Sequence, residues 1–223
     1  MGAYQMWRGK IVMATLVIGN KNTSSWSLRP WIALTHHKIP FAEAHVRLRQ
    51  PDTRDQCLAH SPSGKIPVLK DGDLLIWDSL AILEYLAESF PDLNFWPGNK
   101  QARARARSIS AEMHAGFPDL RREMPMDIVN THDMPDMTEG LDRDIRRIIE
   151  IWEGCLDMAS GGPFLFGSFT IADAMFAPVV TRFMTYGTKV PGSVRGYMEH
   201  IMALPAMQSW IDGAHREEKP GQG

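Results

Sequence analysis

Short apolar runs separated by turn residues fill the first part of the chain, and longer runs of helical period fill the rest. Met13 to Ile18 is apolar, partly β-branched and ends at Gly19-Asn20, which predicts a buried strand followed by a turn. Trp31, Ile32, Ala33 and Leu34 then read as helix. Pro30 confines the start of that helix to Ser24–Ser27, because proline lacks an N–H and is comfortable only near a helix start. His36-His37 fall at its C-terminal end, where imidazolium would suit the helix dipole. After Ile39-Pro40, Phe41 to Leu48 alternates as a strand does and stops at Gln50-Pro51-Asp52. A short polar helix is predicted near Thr53 to Ala59. The turn Ser61-Pro62-Ser63-Gly64 leads into a strand over Ile66–Leu69, Asp71-Gly72-Asp73 is a hairpin signal, and Leu74–Trp77 forms the returning strand. Asp78-Ser79 caps a periodic helix built on Leu80, Ile82, Leu83, Leu86 and Phe90 and ended by Pro91.

The resulting order β-α-β-α-β-β-α predicts an α/β domain with a mixed, thioredoxin-like sheet. Beyond Asn94-Phe95-Trp96-Pro97-Gly98 only helical patterns remain: Ala102 to Met124, Thr138 to Met158, Ile171 to Tyr186 and shorter ones toward Trp210. The expected organisation is an N-terminal extension over 1–12, an α/β domain over 13–93, a linker over 94–100, an all-helical domain over 101–215 and a disordered tail over 216–223.

Composition narrows the function classes. A content of 44% hydrophobic and 22% charged residues is that of a globular protein with a sizeable core. A formal net charge of -2 offers no global attraction to nucleic acid or to an anionic membrane, and no apolar run is long enough to span a bilayer. Neither nucleic acid nor membrane is an expected partner. Cys57 and Cys155 belong to no metal-ligand or redox spacing, so free thiols in a reducing cytoplasm and no metal are expected. The arginines at 103, 105, 107, 121, 122, 143, 146 and 147 read as solvated helix faces or a subunit interface.

Three short elements converge if the first domain folds as described: Asn22-Thr23-Ser24-Ser25-Trp26-Ser27, Lys65-Ile66-Pro67 and Asp78-Ser79. Taken singly, each is a helix cap or an edge proline. In order and spacing, however, Ser24–Arg29, Ser63–Leu69 and Trp77–Leu86 resemble the glutathione-binding domain of cytosolic glutathione transferases, and the serine motif is similar to that of zeta-class and related bacterial members. Phe166–Asp173 is similar to the structural capping motif of the helical domain in that family.

The resemblance implies a glutathione transferase fold, glutathione as co-substrate, a small electrophile as second substrate, a homodimer and a role in detoxification. Ser24 takes the thiol-activating position, with Ser25 beside it. Ile66, before a cis Pro67, offers its backbone to the cysteinyl part, Asp78 and Ser79 face the γ-glutamyl group, and Lys65 is placed near a carboxylate. Trp26, His114 and Phe117 are candidates for the electrophile pocket. The expected reaction is attack of the glutathione thiolate on a small, largely apolar electrophile. The alternatives are glutathione-dependent cis–trans isomerisation of the maleylacetoacetate type, and a non-catalytic protein-binding module on the same fold. Trp26 stands where the zeta motif carries cysteine, and Pro30 lies inside the first helix.

Overall fold

A computed structural model of the chain describes residues 13–159 and 161–218. The expected extension over 1–12 and the last five positions of the expected tail lie outside them. Four strands, β1 (Thr15–Ile18), β2 (Ala42–His45), β3 (Val68–Asp71) and β4 (Leu74–Ile76), form one sheet in the order β2-β1-β3-β4. β1 pairs parallel to β2 and antiparallel to β3, and β3 pairs antiparallel to β4. Leu16, Val17 and Ile18 of the central strand are all fully buried, so the run is apolar on both faces. Its two faces feed different cores. Leu16 and Ile18 join the large core, whereas Val17 packs with Val46, Cys57 and Val68 on the other side.

Helix α1 (Ser25–His36) begins inside the window set by Pro30, although Pro30 lies well beyond the first turn. The missing N–H deprives the Trp26 carbonyl of its usual partner four residues on. Helices α2 (Thr53–Leu58) and α3 (Ser79–Ser89) complete the first domain, and a 3₁₀ turn at Pro91–Leu93 leads out of it.

The second domain holds α4 (Lys100–Ala115), α5 (Pro118–Glu123), α6 (Glu139–Met158), α7 (Ile171–Thr185), α8 (Gly192–Ala203) and α9 (Pro205–Glu217). The single helix expected over 102–124 is broken at Gly116-Phe117. Proline disfavours helical backbone in the residue before it, and Phe117, preceding Pro118, takes a left-handed φ of 62°. Helix α9 also runs through Arg216 and Glu217, into the segment expected as a tail.

α1 packs chiefly on α7, and the large core is continuous from Leu16 in the sheet to Trp210 in α9. The domains therefore share one interior. At the far end of α1, His36 stacks on Phe169 at 4.1 Å and His37 packs on Phe95 at 4.3 Å. Burial pushes both imidazoles below their usual range, His37 to about 4 with a further push from His36, so they act as neutral rings and not as charges on the dipole. Between the unfolded value near 6.5 and about 4, the unfolded chain binds a proton that the native His37 refuses, so stability falls as pH drops through that window. His37→Gln is expected to lose less melting temperature than wild type between pH 7 and pH 5, as followed by circular dichroism. An unchanged difference would mean that His37 stays solvated.

Candidate active site

The start of α1 meets α4 and α5 through Trp26, which packs on His114 and Arg121, and the start of α3 meets α4 through Asp78 and His114. Ser24 is the N-cap residue of α1 and Ser25 its first helical residue, 5% and 6% exposed respectively. Their hydroxyls differ in commitment. Ser24 Oγ donates to Ser27 Oγ at 2.7 Å, and Ser27 Oγ also accepts the Gly19 N–H at 3.1 Å. Ser25 Oγ has no partner among the described residues and lies where the unpaired N–H groups of the first helical turn attract an anion.

The segment before the serines is clamped by the second domain. The Lys21 N–H donates to Glu217 Oε2 at 2.7 Å, and Trp210 Nε1 donates to the Lys21 carbonyl at 2.8 Å. Asn22 Oδ1 accepts from the Ile128 and Val129 N–H groups. The end of α9 and the loop after α5 thus hold the approach to the helix start. Lys21 Nζ in turn pairs with Glu43 at 2.8 Å and lies over Trp31 at 5.0 Å. Burial alone would raise the Glu43 carboxyl, but hydrogen bonds from His45, Lys21 and Trp31 outweigh it and bring its pKa to about 2.

At the turn before β3, the Ile66-Pro67 peptide is cis and the backbone N–H and C=O of Ile66 carry no hydrogen bond among the described residues. Lys65 is exposed, and its N–H bonds to Ser63 Oγ. At the start of α3, Asp78 is the N-cap residue and accepts the Leu80 N–H at 3.1 Å. Ser79 is fully buried and its hydroxyl has no partner among the described residues. Unpaired backbone at Ile66 and an orphaned hydroxyl at a helix N-terminus are what a peptide with carboxylates can satisfy.

Trp26 and His114 meet across the domain boundary with ring centroids 5.3 Å apart, and His114 Nε2 lies 3.0 Å from Asp78 Oδ2. His114 Nδ1 is buried without a hydrogen-bond partner among the described residues. Phe117 is 5% exposed and belongs to the core at the corner between α4 and α5.

Arg121, grouped in the sequence with solvated arginines, instead has its guanidinium 4.8 Å from the Trp26 ring and donates to the carbonyls of Gly116 and Met113. Arg29 lies 4.3 Å from the same ring. Neither was marked as a site residue by pattern. The Arg121-Arg122 pair looked like one charged face, and only the break at Phe117 turns Arg121 inward. Arg122, Arg143, Arg146 and Arg147 do pair with acidic neighbours at the surface.

Over residues 23–89 the sequence matches the glutathione S-transferase N-terminal domain, and over residues 135–213 the C-terminal domain of the same family. A probable maleylacetoacetate isomerase of Caenorhabditis elegans is 25% identical over 206 residues, covering 91% of this chain and 93% of that one. A stringent starvation protein A homolog of Haemophilus ducreyi is 24% identical over 192 residues, covering 82% and 83%. Among solved structures, a Burkholderia glutathione transferase homolog with bound glutathione superposes with a TM-score of 0.70 at 22% identity, over 92% of this chain and 99% of that one. The fold is thus a thioredoxin-like domain joined to a helical one, and the chain belongs to the glutathione S-transferase family.

Proposed function

We propose that this protein is a glutathione transferase that holds the glutathione sulfur as a thiolate at the start of α1 and directs it at a small electrophile beside Trp26. The observation that carries the reading is hydrogen-bonding capacity left unused, among the described residues, at three points of the first domain: the Ser25 hydroxyl, the Ile66 backbone and the Ser79 hydroxyl. Ser79 and the N-terminus of α3 suit the γ-glutamyl carboxylate, and Asp78 suits its amine, in exchange for or beside His114. Ile66 would bind the cysteinyl main chain, and Lys65 would offer its charge to the glycyl carboxylate.

The thiol needs help, because its free pKa is near 8.5 and ionisation at about 6.5 requires roughly 2.7 kcal/mol. A hydroxyl donating to an ionised acceptor contributes about 1.5–3 kcal/mol and the helix N-terminus about 0.3–1 kcal/mol more. One serine at that position is therefore nearly sufficient. The thiol proton leaves to solvent and the sulfur lone pair forms the new S–C bond. The electrons of the broken bond go to a leaving group, or to a conjugated carbonyl that is then protonated.

Titration of glutathione into wild type and Ser79→Ala by calorimetry tests the site. Wild type is expected to bind, and the variant to bind roughly tenfold or more weakly through loss of one charge-assisted hydrogen bond. A wild type that takes up no glutathione would refute the proposal.

A further inference from the structure

Helix α9 grips a single residue of the first domain with one of its faces. Trp210, Gly213 and Glu217 follow one another at intervals of three and four residues, which places them on one side of the helix, and all three meet Lys21. Trp210 Nε1 donates to the Lys21 carbonyl at 2.8 Å, and its ring lies 5.5 Å from Lys21 Nζ. Gly213 leaves room for the lysine stem, since a Cβ there would stand 2.6 Å from Lys21 Cδ. Glu217 Oε2 accepts the Lys21 N–H at 2.7 Å. Both main-chain polar groups of Lys21 are thus satisfied by side chains 189 and 196 positions away in the chain.

Lys21 lies in the turn that delivers the serines. The N–H groups of Thr23 and Ser24 close on the Asn20 carbonyl at 3.2 and 2.8 Å, with Lys21 inside the loop they form. The start of α1 has little to fix it locally. Its N-cap residue Ser24 makes no side-chain cap bond, and the hydroxyl donates to Ser27 Oγ instead. A helix start without a cap takes its direction from whatever holds the chain before it, here the bonds of α9 to Lys21 and of the loop after α5 to Asn22. Of the α9 contacts, the one made by Glu217 can be lost without opening the core. Trp210 is fully buried, whereas the Glu217 side chain is 26% exposed and borders, with Lys21, His45, Gly213 and Arg216, a cleft of about 300 Å³. Water in that cleft can take the Lys21 N–H when the carboxylate is removed, so the fold survives while the turn loosens.

We propose that Glu217 is a positioning residue: by holding the Lys21 N–H it fixes the turn through which Ser25 presents its hydroxyl to the glutathione sulfur, so that the second domain sets the acidity of the bound thiol. The assignment rests on the transferase reading, since it requires glutathione sulfur beside Ser25. Its physical basis is the steep dependence of a hydrogen bond on distance and angle. A hydroxyl displaced by a fraction of an ångström leaves the rest of the ligand in place and gives up much of its hold on the charge.

Thiolate absorbance of bound glutathione, followed against pH, is the test. Glu217→Ala is expected to raise the pKa of the bound thiol by about 0.5–1 unit, half of what losing one hydroxyl bond outright would cause. Glu217→Gln keeps an oxygen for the Lys21 N–H and should stay within about 0.3 unit of wild type. Gly213→Ala displaces Lys21 without removing the Glu217 carboxylate, and should shift the thiol in the same direction as Glu217→Ala. S-Methylglutathione has no thiol to ionise, so its affinity, measured by calorimetry, should stay within about twofold of wild type in every variant. A bound thiol that ionises alike in wild type, Glu217→Ala and Gly213→Ala overturns the proposal and leaves the transferase reading standing. So does a loss of S-methylglutathione affinity as large as that of glutathione, which would make Glu217 a support of the whole site, or a glutamine variant as impaired as alanine, which would make its charge and not its bond the cause. A wild type that binds glutathione without lowering the pKa of its thiol refutes the transferase reading, and the positioning role with it.

Discussion

Ser25→Ala is expected to raise the pKa of bound glutathione by about 1–2 units and to lower kcat/KM roughly 10–150-fold near pH 6.5, with Ser24→Ala costing less than about tenfold. The size follows from one hydroxyl bond to an ionised sulfur, about 1.5–3 kcal/mol, at about 1.4 kcal/mol per pKa unit. The order follows from the hydroxyl geometry. Ser24 Oγ gives its proton to Ser27 at 2.7 Å, so its free lone pairs would accept from a neutral thiol and not stabilise a thiolate. Ser25 Oγ at the first helical position has its proton to give. Thiolate absorbance in the ultraviolet, followed against pH with glutathione bound, measures this directly. The rate should rise with pH through the bound thiol's pKa, that rise should move upward in Ser25→Ala, and the two proteins should converge above about pH 9, where the thiol ionises unaided. The reverse order of effects would assign the thiolate to Ser24 and require its hydroxyl to leave Ser27. No shift in either variant would mean that the serines only cap the helix.

Asp173→Ala is expected to cost about 3–5 kcal/mol of stability, the range for breaking a buried, charged hydrogen-bond network. Asp173 is fully buried at the start of α7 and accepts from the Leu165 N–H at 3.1 Å, the Thr170 N–H at 2.8 Å and Thr170 Oγ1 at 3.0 Å. Alanine orphans all three donors and leaves the turn before α7 without its anchor, in the helix against which α1 packs. Burial raises the Asp173 carboxyl to about 6 despite these donors. A raised native pKa means that this group favours the folded state most below the unfolded value near 3.8 and least once pH has risen through about 6. Asp173→Asn, uncharged and still an acceptor through one oxygen, should therefore lose clearly less than alanine at pH 7. Thermal unfolding should show Tm lowered by roughly 6–20 °C for alanine, at 2–4 °C per kcal/mol for a chain of this size. A loss below about 1 kcal/mol would indicate that water replaces the carboxylate.

Much of the architecture is legible in local chemistry. β1 is found where the apolar run before Gly19 predicts it, α1 starts within the window that Pro30 permits, and Asp78, Thr138 and Thr170 cap the helices that follow them. Such features depend on neighbours in the chain: the period of burial, a side-chain oxygen beside free N–H groups, a ring that removes a donor. The family likeness is legible for the same reason, since its motifs are continuous stretches bearing caps, a turn and a strand. The break at Gly116-Phe117 was readable as well, because Pro118 restricts the residue before it. The continuous helix expected over 102–124 followed the apolar period past that signal.

What the chain order could not decide is which polar groups end without partners and which cations end together. The two serines are neighbours in sequence, yet Ser27 engages one hydroxyl and leaves the other free, a difference of side-chain direction and not of residue type. His36 and His37 look like charges for a helix end and become buried neutral rings, because Phe95 and Phe169 arrive from beyond the domain boundary. Arg29, Arg121 and Arg182 come from three helices more than 50 positions apart in the chain, and only the packing of α1 and α5 with α7 brings their charges within range of one another. Local pattern determined the elements and their ends, because those depend on backbone hydrogen bonds within a few residues. Tertiary packing decided the electrostatics of the site, because burial removes the solvent that would otherwise have screened each charge alone.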